Sequence, residues 1–169
     1  MPSQLAPQGL DFTRVSSRLI TARRITRGTA SLLWLALAGL PLVLRAAGAW
    51  PTLPLWLAWL LPSAMLVGVV WAFVLIPRQV RAIGYAERND DLLIRQGIFF
   101  QRLMVVPYGR MQYVDVTVGP LERALGLSSI RLHTASASTN AALGGLPAEE
   151  ASRLREQLTA RGEAKLAGL

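Results

Sequence analysis

The chain has 169 residues, enough for one small domain and something added to it. It is 52% hydrophobic and 17% charged, with no cysteine, a formal net charge of +8 and a mean hydropathy of +0.37. That balance is shifted from the soluble norm towards membrane proteins, and it excludes a disulfide framework, thiolate metal ligands and a cysteine nucleophile.

Met1 to Gly9 reads as a tail, rich in Pro, Gln and Ser and without period. Phe12 to Arg27 is basic: Arg14, Arg18, Arg23, Arg24 and Arg27 stand against the single acid Asp11. Phe12, Val15, Leu19 and Ile20 could form the apolar stripe of an interfacial helix, with an extended arm as the alternative. Thr29 to Leu44 is uncharged and dominated by Leu and Ala, and a span over residues 29–47 reaches the roughly 20 residues a membrane helix needs. Pro41 is tolerable there. Leu53 to Ile76 is a second uncharged stretch of 24 residues, in which Pro62 predicts a kink. The link from Arg45 to Thr52 is too short for a domain, so the spans (about 29–47 and 53–76) form an antiparallel hairpin.

Arginine placement orients it. Five arginines precede the first span, Arg78, Arg81 and Arg88 follow the second, and the link carries Arg45 alone. The positive-inside rule then puts both termini in the cytoplasm, and Trp50, Trp56 and Trp59 fall where an outer aromatic belt belongs. A rival reading takes residues 1–49 as a signal peptide ending at Ala47-Gly48-Ala49. The long leading segment and Arg45, in a region that should be neutral, argue against it. Ala64, Gly68 and Ala72 make a small-xxx-small face on the second span. It is expected to pack on the first span, with a homodimer seam as the alternative.

From Val80 the pattern turns to period two. Strands are expected at Val80–Glu87, Leu92–Gln96, Phe100–Pro107, Gln112–Val118 and Ser129–Thr134, with a sixth at Thr139–Leu143 ending at Gly144-Gly145. Asn89-Asp90-Asp91 supplies a turn. Leu121–Leu125 is expected as a helical turn closed by Gly126. Pro147 starts a last helix, with Glu149 and Glu150 in its first turn, running to about Arg161; Ala151, Leu154 and Leu158 are its inward stripe. The fold class is α+β: a two-helix transmembrane hairpin, then a bent antiparallel sheet or partial barrel with a C-terminal helix. The domain boundaries are 1–28 for a basic N-terminal segment, 29–77 for the hairpin, 78–162 for the soluble domain and 163–169 for a tail.

The run VVPYGRMQYVDVTVGPLERALGLSSIRLHTA (Val105 to Ala135), followed by LGGLPAEEASRLREQL, resembles the bacterial pleckstrin-homology (PH) domain of YdbS-like membrane proteins. Its most specific parts are Pro107 with Arg110-x-Gln112, the Gly119-Pro120…Gly126-Leu127 connection, and the strand ending His133-Thr134-Ala135; the Ile83 to Gly97 hairpin also fits. The resemblance covers residues 14–160. The family usually has Gly soon after the His-Thr-Ala strand, where this chain has Ser136-Ala137-Ser138. The resemblance implies a PH-like barrel on a membrane anchor in a bacterial cell membrane, and it implies no reaction.

No catalytic constellation is legible. His133 is the sole histidine and lies on an outward strand face beside Arg131. One His and no Cys cannot make a structural zinc site. Asp90-Asp91 reads as turn chemistry, and Glu149-Glu150 as a helix start. The phosphate-binding G-x-x-x-x-G-K-[ST] loop is absent. The expected role is therefore a non-enzymatic module at the cytoplasmic face, without metal or cofactor. Arg110, Gln112, Arg131 and His133 are the candidates for holding a partner protein or peptide. The alternative is an anionic-lipid-engaging or envelope-transport component, with Arg23, Arg24, Arg27, Arg78 and Arg81 as lipid contacts. Nucleic acid is not expected, because the basic residues flank spans instead of striping a soluble face.

Overall fold

The computed structural model of the chain describes residues 11–134 and 141–166. The expectations for the Met1–Gly9 tail, the turn at Ser136-Ala137-Ser138 and Thr139 lie outside them. Contacts divide the chain into two compact units, Arg23–Pro77 and the remainder.

The Arg23–Pro77 unit is helical. It holds most of α1 (Arg18–Ala38), all of α2 (Leu40–Ala46) and most of α3 (Leu55–Arg81). The first helix breaks where Pro41, lacking an N–H, cannot bond to the carbonyl four residues back. Gly39 N still donates to Leu35 O at 2.9 Å, and the ladder resumes with Leu42 N on Gly39 O at 3.0 Å. Arg18–Ala46 has a hydropathy of 1.6 over its best window and Leu55–Arg81 one of 2.2. At 1.5 Å per residue α3 is about 40 Å long, more than the hydrocarbon core requires. It runs through Pro62 and Pro77 as one element.

The two helical stretches share a seam. Gly28, Ser31, Leu35, Ala38 and Leu42 are half-buried on one, and Pro62, Met65, Val69 and Ala72 on the other, with Ala58 fully buried. The steps alternate between three and four residues, as in helices packed side by side. A Cβ on Gly28 would lie 3.6 Å from Phe73 Cζ. The opposite faces expose large apolar side chains, among them Leu32 (70%), Trp56 (69%) and Val67 (68%). Such a surface suits lipid, where the backbone is satisfied within each helix. The small-residue face behaves otherwise than expected. Ala64 and Gly68 are exposed, and a Cβ on Gly68 would meet nothing within 4 Å. The 58-62-65-69-72 register turns positions 64 and 68 outwards and leaves only Ala72 of that set on the seam.

The second unit is the soluble domain. Its first sheet has the antiparallel order β1 (Thr13–Arg14), β2 (Gly84–Glu87), β3 (Asp91–Gln96), β4 (Arg102–Pro107). A 3-10 turn, Tyr108–Arg110, leads to the second sheet, β5 (Met111–Thr117), β6 (Leu127–Thr134), β7 (Ala141–Pro147), with α4 (Pro120–Ala124) between β5 and β6. α5 (Ala148–Leu166) closes the domain. Ala151, Leu154 and Leu158 are completely buried, as the helical stripe predicts. Ile130 and Leu132 of β6 are 1% exposed.

Several boundaries differ from the sequence reading. β2 starts at Gly84, not Val80, because α3 continues to Arg81. β4 starts at Arg102, which leaves Phe100 in the preceding turn. β3 buries Leu93 as well as Leu92 and Ile94, so both of its faces are covered. β7 does not end at Gly144-Gly145. Ser128 pairs with Leu146 and Ser129 with Gly144, so Gly145, at φ +81°, is the extra residue of a bulge. The N-terminal basic segment divides: Thr13–Arg14 adds to β2, Val15 and Leu19 are buried in the domain, and a helix begins at Arg18. α5 continues past Arg161 to Leu166.

Candidate functional site

The second sheet has two edges. That of β7 is covered: Ser16 N donates to Gly145 O at 2.9 Å, and Gln96 Nε2 to Ala142 O at 2.9 Å. The outer edge of β5 has no backbone partner among the described residues. α5 passes beside it. Between them lies a groove of about 80 Å³, lined by Gln112, Tyr113 and Val114 on one side and Thr159, Gly162 and Glu163 on the other.

Gln112 owes its place to an irregularity. Met111 pairs with Thr134 and Tyr113 with His133, so Gln112 is an extra, exposed residue. A bulge of this kind re-aims a side chain at a sheet edge. Arg110 is exposed on the 3-10 turn just before it. On the outer face of the sheet Tyr113 lies opposite His133 and Asp115 opposite Arg131. The Tyr113 and His133 rings stack with centroids 4.3 Å apart. The structure thus joins Arg131 and His133 on one face and puts Gln112 in the adjoining groove, with Tyr113 belonging to both. Tyr113, Asp115 and Glu163 were not singled out from the sequence. Both Tyr113 and Asp115 fall in the strand expected at Gln112–Val118, but their partners depend on strand register.

A polar strap fixes α5, and with it one wall of the groove. Tyr85 Oη donates to Glu150 Oε1. Arg153 donates to Glu150 Oε2 at 2.9 Å, Glu87 Oε1 at 2.8 Å and Gln157 Oε1 at 2.6 Å. The Arg153 hydrogen bond holds the Glu150 carboxyl below its ordinary value; burial opposes this and Tyr85 adds to it. Burial, then the hydrogen bond to Glu150, pushes the Tyr85 phenol well up. Further along, Arg161 Nη1 donates to Tyr108 Oη and to Arg88 O, each at 3.0 Å. Burial raises the Tyr108 phenol while Arg161 counters it. Asp90 pairs with Lys165 at 2.9 Å and Asp91 with Arg88 at 3.2 Å.

Arg23 is half-buried and Arg24 and Arg27 are exposed on α1; Arg78 and Arg81 are exposed in the last turn of α3. Arg24 stands at an apolar groove of about 440 Å³ formed with Val69, Val70, Phe73, Val74 and Pro77.

The family model for the bacterial PH domain matches residues 29–162. The chain belongs to that family. UPF0699 transmembrane protein YdbS of Bacillus subtilis (strain 168) is 28% identical over 158 residues, which cover 93% of this chain and 90% of that protein. No solved structure matches. The bacterial PH match takes in the apolar helices as well as the domain, and the two stretches of spanning length make this an integral membrane protein. Its motif residues have physical jobs. Glu122 accepts from Gly119 N at 2.9 Å and from Ser129 Oγ at 2.7 Å, and Gly126 turns at φ +66°. The Gly119-Pro120…Gly126-Leu127 connection therefore locks β5 to β6.

Proposed function

We propose that this bacterial PH-domain protein is a non-enzymatic interaction module, held at the cytoplasmic face of the cell membrane, whose β5 edge accepts an extended segment of a partner protein. The unpartnered β5 edge beside α5 carries the reading. An added strand gains main-chain hydrogen bonds along the edge and side-chain specificity from pockets on alternate residues. Gln112 and Tyr113 line the place such a strand would take; Arg110 stands at its entrance, and Arg131 and His133 extend the surface across the sheet. Tethering by two spans raises the effective concentration for other membrane proteins. The titratable groups speak for binding over catalysis: Glu150, Asp90 and Asp91 each have a basic partner, and His133 lies against a ring.

The test is photocrosslinking in native membranes from a residue substituted at Gln112, with Ala142 on the covered β7 edge as the comparison. A discrete adduct from position 112 and none from 142 is expected. Equal adducts from both, or none from either, would remove the basis for the reading. The arginine asymmetry supports a topology with both termini inside. An impermeant maleimide should therefore label T52C on intact cells and T159C only after lysis.

Arg24 favours a second reading, in which an anionic phospholipid lies on α1 and α3. Its acyl chain would follow Val69 to Val74 and its phosphate would meet Arg24. Arg23, Arg27, Arg78 and Arg81 would add about 1 kcal/mol each near an anionic surface. Arg24→Gln should lower the anionic lipid co-purifying with the protein; retention indifferent to this change and to salt counts against it.

A further inference from the structure

The turn between β3 and β4 carries two adjacent phenylalanines. Phe99 is 76% exposed and Phe100 88%, the most exposed large apolar side chains among the described residues. Neither lies on a membrane-length helix. The turn is built to show them. Gln96 pairs with Arg102 at its base. Gly97 adopts φ +100°, and a Cβ there would lie 2.0 Å from Phe100 O. A conformation open to glycine alone thus fixes a tip whose apolar residues point away from the domain core.

Strand register tells where the tip points. α3 ends at Arg81 and β2 begins at Gly84. Three residues reach at most about 11 Å, so the first residue of β2 stays close to the end of a spanning helix. Gly84 pairs with Arg95. β3 therefore runs back towards the end of the sheet where α3 enters, and the Phe99–Phe100 tip projects beyond that end. The charge around it is one-sided. At this end of the two strands, from Leu92 to Leu103, the chain has Arg95 and Arg102 and no acid. Arg95 is held over the Phe12 ring at 4.7 Å, and Arg102 is exposed at the base of the tip.

We infer that the Phe99–Phe100 tip is a lipid-interface contact, inserted among the headgroups of the bilayer that α3 crosses. Exposed Phe side chains gain by burial at the boundary of headgroups and acyl chains, and neighbouring arginines favour an anionic surface. The tip is then a membrane contact of the domain itself, separate from the hairpin and from the β5 groove. The inference stands independently of what binds in that groove.

The cysteine-free chain allows a direct test on the full-length protein. A nitroxide label is placed at F100C, with D115C as an exposed control. The protein is reconstituted as one copy per nanodisc of phosphatidylcholine and phosphatidylglycerol. Collision with oxygen relative to a water-soluble nickel complex reports depth. The label at 100 should show an oxygen-to-nickel ratio several-fold above that at 115, and the same readout at Q101C should fall to the control level in an F99S/F100S background. A label at 100 as open to nickel as the control overturns the inference. So does shielding seen at several copies per disc but not at one, which would make the occupant a second copy of the chain.

Discussion

The ring of Tyr113 lies over that of His133 with planes 12° from parallel, joining neighbouring strands at the wall of the β5 groove. The sole histidine is thereby a packing residue of the sheet surface. Cross-strand aromatic pairs contribute up to about 1 kcal/mol, so Tyr113→Ala and His133→Ala should each destabilise the domain by about that much. The pair should also couple by about 0.5 kcal/mol or more in a double-mutant cycle. Pulse proteolysis of the full-length protein in micelles gives the numbers; simple additivity would mean the stack is incidental.

Gly145 should tolerate no side chain. Its φ is +81°, and a Cβ would lie 2.5 Å from Leu19 Cδ2 and 2.9 Å from Leu19 Cβ. A left-handed non-glycine residue costs about 1 to 3 kcal/mol. Overpacking adds about as much again. Gly145→Ala should thus release the N-terminal arm, since Ser16 bonds to this residue's carbonyl. Gly48, at φ +73° with nothing within 4 Å, is the matched control and should lose about 1 kcal/mol when changed to Ala. Hydrogen exchange over residues 13–22 separates the two.

The strap on α5 predicts a pH response at both ends of the scale. Glu150 has a folded pKa below its ordinary 4.5, so its contribution is present above pH 4.5 and lost as pH falls through the folded value. Tyr85 has a folded pKa above its ordinary 10.0, so its contribution is present below pH 10 and lost as pH rises beyond it. Glu150→Gln should flatten the acid limb, and Tyr85→Phe the alkaline limb at a cost near pH 7 of about 1 kcal/mol. Stability against pH for the three proteins checks this; identical curves would show that other groups govern both limbs.

The helical seam predicts unequal outcomes at two small residues. Ala58 is fully buried, so Ala58→Leu should overpack the seam by about 1 to 3 kcal/mol. Gly68→Leu adds its side chain to an exposed face and should leave helicity and unfolding in micelles unchanged. Circular dichroism during detergent titration is the measurement, and a Gly68→Leu protein as weakened as Ala58→Leu would refute the register described.

The candidate site was only partly legible in the sequence. Arg131 and His133 were placed on one outward face because alternate strand residues share a face, and β6 bears that out with Ile130 and Leu132 buried between them. Gln112 was expected on a plain strand, yet it is the extra residue of a bulge, which depends on how β6 pairs with β5. Phe100 was expected in a strand as well. A run of apolar residues does not say where pairing stops, and pairing stops at Arg102.

What the sequence alone determined depends on local period and composition: two uncharged stretches of spanning length, a period-two domain after them, and the Ala151-Leu154-Leu158 stripe of the last helix. These follow from residues close together in the chain. Tertiary structure decided that Ala64 and Gly68 face outwards, that Gly145 is a bulge pressed against Leu19, that the outer β5 edge is open among the described residues, and that Phe99 and Phe100 are exposed on the turn between β3 and β4. Each of these is a relation between segments far apart in the chain, set by helix rotation or strand register, and neither quantity is written in any one segment.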